Sequence, residues 1–126
     1  MRAVDTNVIV RIFARDDVRQ MAIADAYIES GAWVSHVVLL ESVWVMESAY
    51  GLGHAAIATM IEMLLNHRTL TVQDPDVIEA ALAQYRQRPS LGFTDCLLLE
   101  IARKAGHLPL GTFDRNLSKL PGAERL

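Results

Sequence analysis

The sequence predicts an α/β fold in which helices alternate with a mostly parallel sheet of four to five short strands. Stretches of helical apolar period alternate with short runs of β-formers along the whole chain. Gly, Pro and Asp-rich turns separate them, and no repeat, linker or low-complexity stretch interrupts the alternation. Hydrophobic residues make up 52% and charged residues 21%, less than the usual share of about 25% charged. Such a chain is expected to cover its sheet on both faces or to bury part of itself against a partner. Its 126 residues fit a single domain, 1–126, large enough for one core without staples.

Taken in order, Arg2–Asp5 reads as a strand meeting a polar turn at Asp5-Thr6-Asn7, and Val8–Ala14 as a short helix. Asp16–Ser30 is helical through Met21, Ala24, Ala26 and Ile28, with Gly31 as its stop. Ala32–His36 is a strand, and Val38–Tyr50 an apolar helix ended by Gly51. Ala55–Asn66 follows as a helix with Ile57, Met60, Ile61, Leu64 and Leu65 on one face. Thr69–Val72 alternates like a strand, and Asp74-Pro75 opens a helix running to about Arg86. After a loop at Pro89–Gly92, Thr94–Ala105 is a helix stopped by Gly106. Leu108–Thr112 is a strand, Asp114–Leu120 a helical turn and Ala123–Leu126 a last edge strand. Strands alternating with helices imply βαβ units, whose ligands bind beyond the C-terminal strand ends. That directs attention to Asp5 and to Thr112-Phe113-Asp114.

Composition narrows the function classes. No apolar stretch approaches the ~20 residues of a membrane span, and Arg2, Asp5 and Asn7 are unlike a signal peptide. The single Cys96 fits a reducing cytoplasm. A net charge of −3 argues mildly against a binder that relies on phosphate contacts alone, but not against a nuclease whose carboxylates hold metal.

Four acids stand in apolar company. Asp5 follows Ala-Val at a strand end, Glu41 interrupts Val37–Leu40, Asp95 opens Cys96-Leu97-Leu98-Leu99, and Asp114 follows Leu108–Phe113. Acids are rarely buried unless paired or metal-bound, and a bare cluster of them repels itself. Carboxylates without His or Cys favour hard ions such as Mg²⁺ or Mn²⁺, which suit phosphodiester hydrolysis. Thr6, Asn7 and Thr112 stand beside these acids and could orient a carboxylate or a water. Each acid also has a plain structural reading. Asp5, Asp95 (or Thr94) and Asp114 could cap helices. Glu41, inside an apolar helix, is the hardest to explain without a partner. The other acids read as surface residues, Glu47 and Glu100 as helix-face charges.

Four blocks then show a resemblance. Val4-Asp5-Thr6-Asn7-Val8 resembles the opening of PIN domains, and Glu41 in Leu39-Leu40-Glu41-Ser42-Val43-Trp44 matches the family's helical glutamate. Phe93-Thr94-Asp95-Cys96-Leu97-Leu98 and Leu110-Gly111-Thr112-Phe113-Asp114-Arg115 are similar to its remaining blocks, in order across the whole chain. The resemblance implies a three-layer α/β/α fold, and the nearest subgroup is the VapC-type toxin of VapBC toxin–antitoxin pairs. What it implies is a Mg²⁺- or Mn²⁺-dependent endoribonuclease that cleaves structured RNA such as tRNA or rRNA. It further implies inhibition by a cognate antitoxin, and a homodimer. Carried over, Asp5 and Asp95 are the direct metal ligands, Glu41 a third acid that binds metal or activates water, and Asp114 a fourth. Asn116 stands where relatives sometimes carry a further acid.

Arg11, Arg15 and Arg19, with Arg86, Arg88 and Arg115, are candidates for RNA phosphates or acidic groups of an antitoxin, set against a plain solvated face. His36, His54, His67 and His107 show no nuclease-like pairing. Cys96 and Trp44 read as core, while Trp33 could line a partner surface. A receiver-type signalling domain would need a suitably placed Lys, and the chain has only Lys104 and Lys119. A DxDxT phosphatase is disfavoured by Asn7. The remaining alternative is a non-catalytic α/β domain that binds RNA or a partner.

Overall fold

A computed structural model describes residues 1–126. It divides into two compact units, Met1–Pro75 and Asp76–Leu126.

The first unit runs β1 (Arg2–Ala3), α1 (Thr6–Ala14), α2 (Val18–Ile28), β2 (Ala32–Val34), α3 (His36–Ser48), α4 (His54–Leu65) and β3 (Leu70–Val72). The strands form a parallel sheet in the order β1-β2-β3, with Arg2 opposite Ala32 and Ala32 opposite Leu70. Each pair of parallel neighbours is joined by a helical crossover, as the alternation demands. Ala32 and Val34 of β2 point into the core while Trp33 between them is exposed, and β3 repeats the pattern with Leu70, Thr71 and Val72. Ile9, Leu39, Ile57, Ile61 and Leu64 of the helices are fully buried in the same unit. Side chains set the helix starts. Asp5 caps α1, Asp17 caps α2 through Gln20 N–H at 2.9 Å, and Ser35 caps α3 through Val38 N–H at 3.1 Å. The caps explain why α1 and α3 begin two residues earlier than their apolar periods indicate. Gly51, at φ 68°, closes α3, its N–H donating to the Glu47 carbonyl.

The second unit holds most of α5 (Pro75–Gln87), then α6 (Phe93–Ala105), β4 (Leu110–Thr112), a 3₁₀ turn at Leu117–Lys119, and β5 (Ala123–Arg125). Pro75 takes the first helical position of α5, where its missing N–H costs nothing. Val77, Ile78, Ala81, Leu82 and Tyr85 form its buried stripe, and Tyr85 meets Phe93 edge-on at 5.7 Å between ring centroids. β4 and β5 pair in parallel, Leu110 opposite Ala123, so the chain's tail is the expected edge strand. Five short strands are present, as expected, but they form a sheet of three and a sheet of two. Two or three residues per strand allow only two or three paired positions at each junction.

Candidate active site

In the first unit, Asp5 follows β1 directly, and its exposed carboxylate accepts the Val8 N–H through Oδ1 at 3.4 Å. The capping reading is therefore realised, by a long bond to one oxygen. Thr6 donates its hydroxyl to Glu41 Oε2 at 2.8 Å. This bond joins the start of α1 to the middle of α3, two helices packed on one another. Glu41 does not sit in an apolar environment, contrary to the expectation from its neighbours. It lies on an open face of α3 with Val37 and Trp44, which are 64% and 67% exposed. Leu39, Ser42, Val43 and Met46 are the buried side. Trp44 is likewise surface and not core. Asn7 is exposed on α1, one residue beyond Thr6.

In the second unit, Asp95 occupies the first turn of α6, and the N-cap position is Gly92, which supplies no side-chain cap. Neither Thr94 nor Asp95 caps this helix, so the capping explanation of Asp95 fails. The carboxyl is half-buried and takes no hydrogen bond from the protein. Burial raises its pKa above the ordinary carboxylate value, and the charge of Asp114 raises it further. Asp114 lies just past β4, exposed, where Oδ1 accepts the Leu117 N–H at 2.8 Å and caps the 3₁₀ turn. Its own N–H donates to Thr112 Oγ1 at 3.0 Å. Thr112 thus fixes the Asp114 backbone, and one carboxylate oxygen of Asp114 stays outside the cap. Asn116 is exposed and makes no cap.

The arginines divide. Arg11 donates through Nε to Gln20 Oε1 and through Nη1 to Asp16 Oδ1 at 3.2 Å and to Tyr50 Oη at 3.4 Å. Tyr50 in turn donates to Asp16 at 2.7 Å, and that bond pulls the Asp16 pKa down, with Arg11 adding to the effect. Arg15, in a left-handed conformation at φ 51°, donates to the Ile12 carbonyl and to Asp25 at 2.9 Å. Both guanidinium groups are engaged in holding α1, α2 and the end of α3 together. Arg115, beside Asp114, is exposed.

Three features lay outside the sequence reading. Glu100, expected on a helix face, is buried and paired with Arg103 at 3.1 Å. Phe113, between Thr112 and Asp114, is 81% exposed. Tyr50 was not singled out, and its role depends on a tertiary crossing that no local pattern encodes. Cys96 is a buried core residue, as expected, and burial first, then Asp95, pushes its thiol up to about 11. The His36 ring is tied to the Gln73 carbonyl at 3.0 Å, a packing role.

In the first unit Thr6, next to Asp5 in the chain, holds Glu41, and in the second the charge of Asp114 acts on Asp95. No group of three or more acids, histidines or cysteines is placed to hold a metal ion. The donor set of these acids is all oxygen, the chemistry that a hard divalent cation takes. The sequence profile of the PIN domain matches residues 2–123, across both units. The chain belongs to the PIN domain family. PIN domains are generally nucleases and typically use divalent metals, so this PIN domain has a nuclease-type fold and falls with the hydrolases at that level. Comparison with curated proteins and with solved structures gives no match. No helix of this PIN domain is long and apolar enough to cross a membrane.

Proposed function

We propose that this PIN domain is a Mg²⁺- or Mn²⁺-dependent endoribonuclease whose acids are Asp5, Glu41, Asp95 and Asp114. The observation that carries the proposal is Asp95: a half-buried carboxyl without a hydrogen-bond donor, facing a second carboxylate. A protein keeps such a group at a loss of stability, which function explains. The cation supplies charge neutralisation at the scissile phosphate and a more acidic attacking water. Asp5 and Asp95 hold it. Thr6 fixes one oxygen of Glu41 and leaves the other to accept a proton from water. Thr112 and the Leu117 N–H hold Asp114 in one orientation.

The reading extends to biology. The four blocks resemble VapC-type toxins, so the substrate is structured RNA such as tRNA or rRNA. The chain acts in the cytoplasm as the toxin of a type II pair, as a homodimer, held inactive by its antitoxin. Arg115, next to Asp114, is the arginine best placed to meet an RNA phosphate or an acidic group of the antitoxin. Purified protein should cleave RNA with Mg²⁺ or Mn²⁺, and Asp5→Ala and Asp95→Ala should not. Equal activity in all three proteins would refute the proposal. Tight RNA binding without cleavage under either ion would instead favour a non-catalytic RNA-binding domain.

A further inference from the structure

A groove of about 660 Å³ lies between α1 and α2 in the first unit, with Asp5 among the residues that line it. We propose that this groove seats a nucleobase of the RNA strand next to the scissile phosphate. The inference rests on the nuclease reading above and names a part of the substrate that the reading leaves open.

The groove is built from two helical stripes. Gln20, Ile23, Ala24 and Tyr27 recur on α2 with the spacing of one helix face, and Asn7, Val8 and Arg11 do so on α1. The Arg11–Gln20 hydrogen bond ties the two stripes together near the turn between the helices. Tyr27 lies toward the other end, and its ring is held by the Arg2 guanidinium, stacked 3.8 Å from the ring centroid, while Arg2 also donates to the Tyr27 carbonyl at 3.1 Å. Both ends are therefore fixed before any ligand arrives.

Chemistry selects the occupant. The volume lies in the range of roughly 300–1,000 Å³ usual for small-ligand sites and suits a base with part of its ribose. Arg11 is the one cation lining the groove, and it is already bonded to Gln20, Asp16 and Tyr50. The groove is thus poorly suited to a phosphate. Ile23 is 60% exposed there, an apolar surface left open to water. Asn7 offers an amide, two donors and an acceptor, on the same wall. The apolar surface of Val8, Ile23 and Ala24 beside the Asn7 amide suits the flat faces and polar edge of a nucleobase. An aliphatic peptide side chain would cover Ile23 but leave the Asn7 amide and the Asp5 carboxylate facing a group that cannot bond to them. Asp5 in the lining also puts the groove beside one of the proposed catalytic acids.

Methyl NMR of the full chain tests the assignment without requiring catalysis. The probes are the four nucleoside 5′-monophosphates, ribose 5-phosphate and N-acetyl-leucine amide, with wild type, Ile23→Trp and Ile23→Ala compared. At least one nucleotide should shift the Val8, Ile23 and Ala24 methyls, and ribose 5-phosphate should not. Ile23→Trp, which fills the groove from an exposed position, should weaken binding at least tenfold as read at Val8 and Ala24. Ile23→Ala should weaken it severalfold. Silence with every nucleotide overturns the proposal. So do equal shifts with ribose 5-phosphate, shifts with the leucine amide alone (a protein segment as occupant), or unchanged binding in both variants. The two readings fail separately. Base binding without RNA cleavage sinks only the nuclease reading, and RNA cleavage with a silent groove sinks only this one.

Discussion

Arg103→Ala should destabilise the chain by about 3 kcal/mol, far more than a surface arginine warrants. Arg103 donates through Nε to Glu100 at 3.1 Å and through Nη2 to the Pro121 carbonyl at 2.6 Å. The Glu100 side chain is only 7% exposed, whereas Arg103 is 39% exposed. Removing one partner of a buried pair costs about 3–5 kcal/mol because the other charge is stranded. Water can reach the Arg103 side here, which reduces that to about 2–3 kcal/mol on the same basis. The lost bond to the exposed Pro121 carbonyl adds about 0.5 kcal/mol, the low end for a neutral acceptor. Glu100→Gln on the Arg103→Ala background removes the stranded charge and should restore more than half of the loss. Urea denaturation of the four proteins of this cycle measures the effect, at unchanged m-value. A loss below about 1 kcal/mol, or a double variant no more stable than Arg103→Ala, would refute the reasoning. The contact matters to the site because α6 carries Asp95 at its start and Arg103 at its end. A Cβ at Gly122 would lie 3.1 Å from the Arg103 guanidinium, so this arginine packs closely where the chain enters β5.

Asp95→Asn should abolish cleavage, by at least about a hundredfold, yet stabilise the metal-free chain by about 0.5–1 kcal/mol. The folded state holds the Asp95 pKa above its unfolded value of about 3.9, so charging it disfavours the fold. The gain should therefore be absent near pH 3 and appear as pH rises past the folded pKa; thermal unfolding at both pH values checks it. Thr6→Val removes the hydroxyl that holds Glu41 and should weaken Mn²⁺ binding about 10- to 100-fold, as read by calorimetry, with little change in melting temperature. Tyr50→Phe removes the main cause of the lowered Asp16 pKa. A lowered carboxylate stabilises the fold above its unfolded pKa and loses that contribution as pH falls. The variant's acid-unfolding midpoint should accordingly move to higher pH.

Much of this was legible in the sequence. Helices α2, α4, α5 and α6 follow their apolar periods, and Gly51 and Gly106 close α3 and α6. The four acids were visible because each interrupts or borders an apolar run, and the PIN resemblance ordered them. The environment of Glu41 was not legible. α3 is apolar on nearly every side, so its period cannot say which face is covered; the same ambiguity hid the exposure of Trp44. Glu100 was misplaced because a buried charge is recognisable only through its partner, and an Arg three residues on is equally common on a surface helix. Helix starts were misjudged by two residues at α1 and α3, since caps are set by Asp5 and Ser35, outside the apolar pattern. The bonds of Arg11 to Gln20 and of Arg15 to Asp25 depend on the packing of α1 against α2, which no local pattern encodes.

Calorimetric titration of Mn²⁺ into wild type, Asp5→Asn, Asp95→Asn and the double variant tests the shared-cation claim most directly. Each single substitution, one in either unit, should weaken the same site at least tenfold, and the double variant should bind no ion there. Wild-type protein that binds no Mn²⁺, or an Asp5 substitution that leaves the site disrupted by Asp95→Asn untouched, would contradict it.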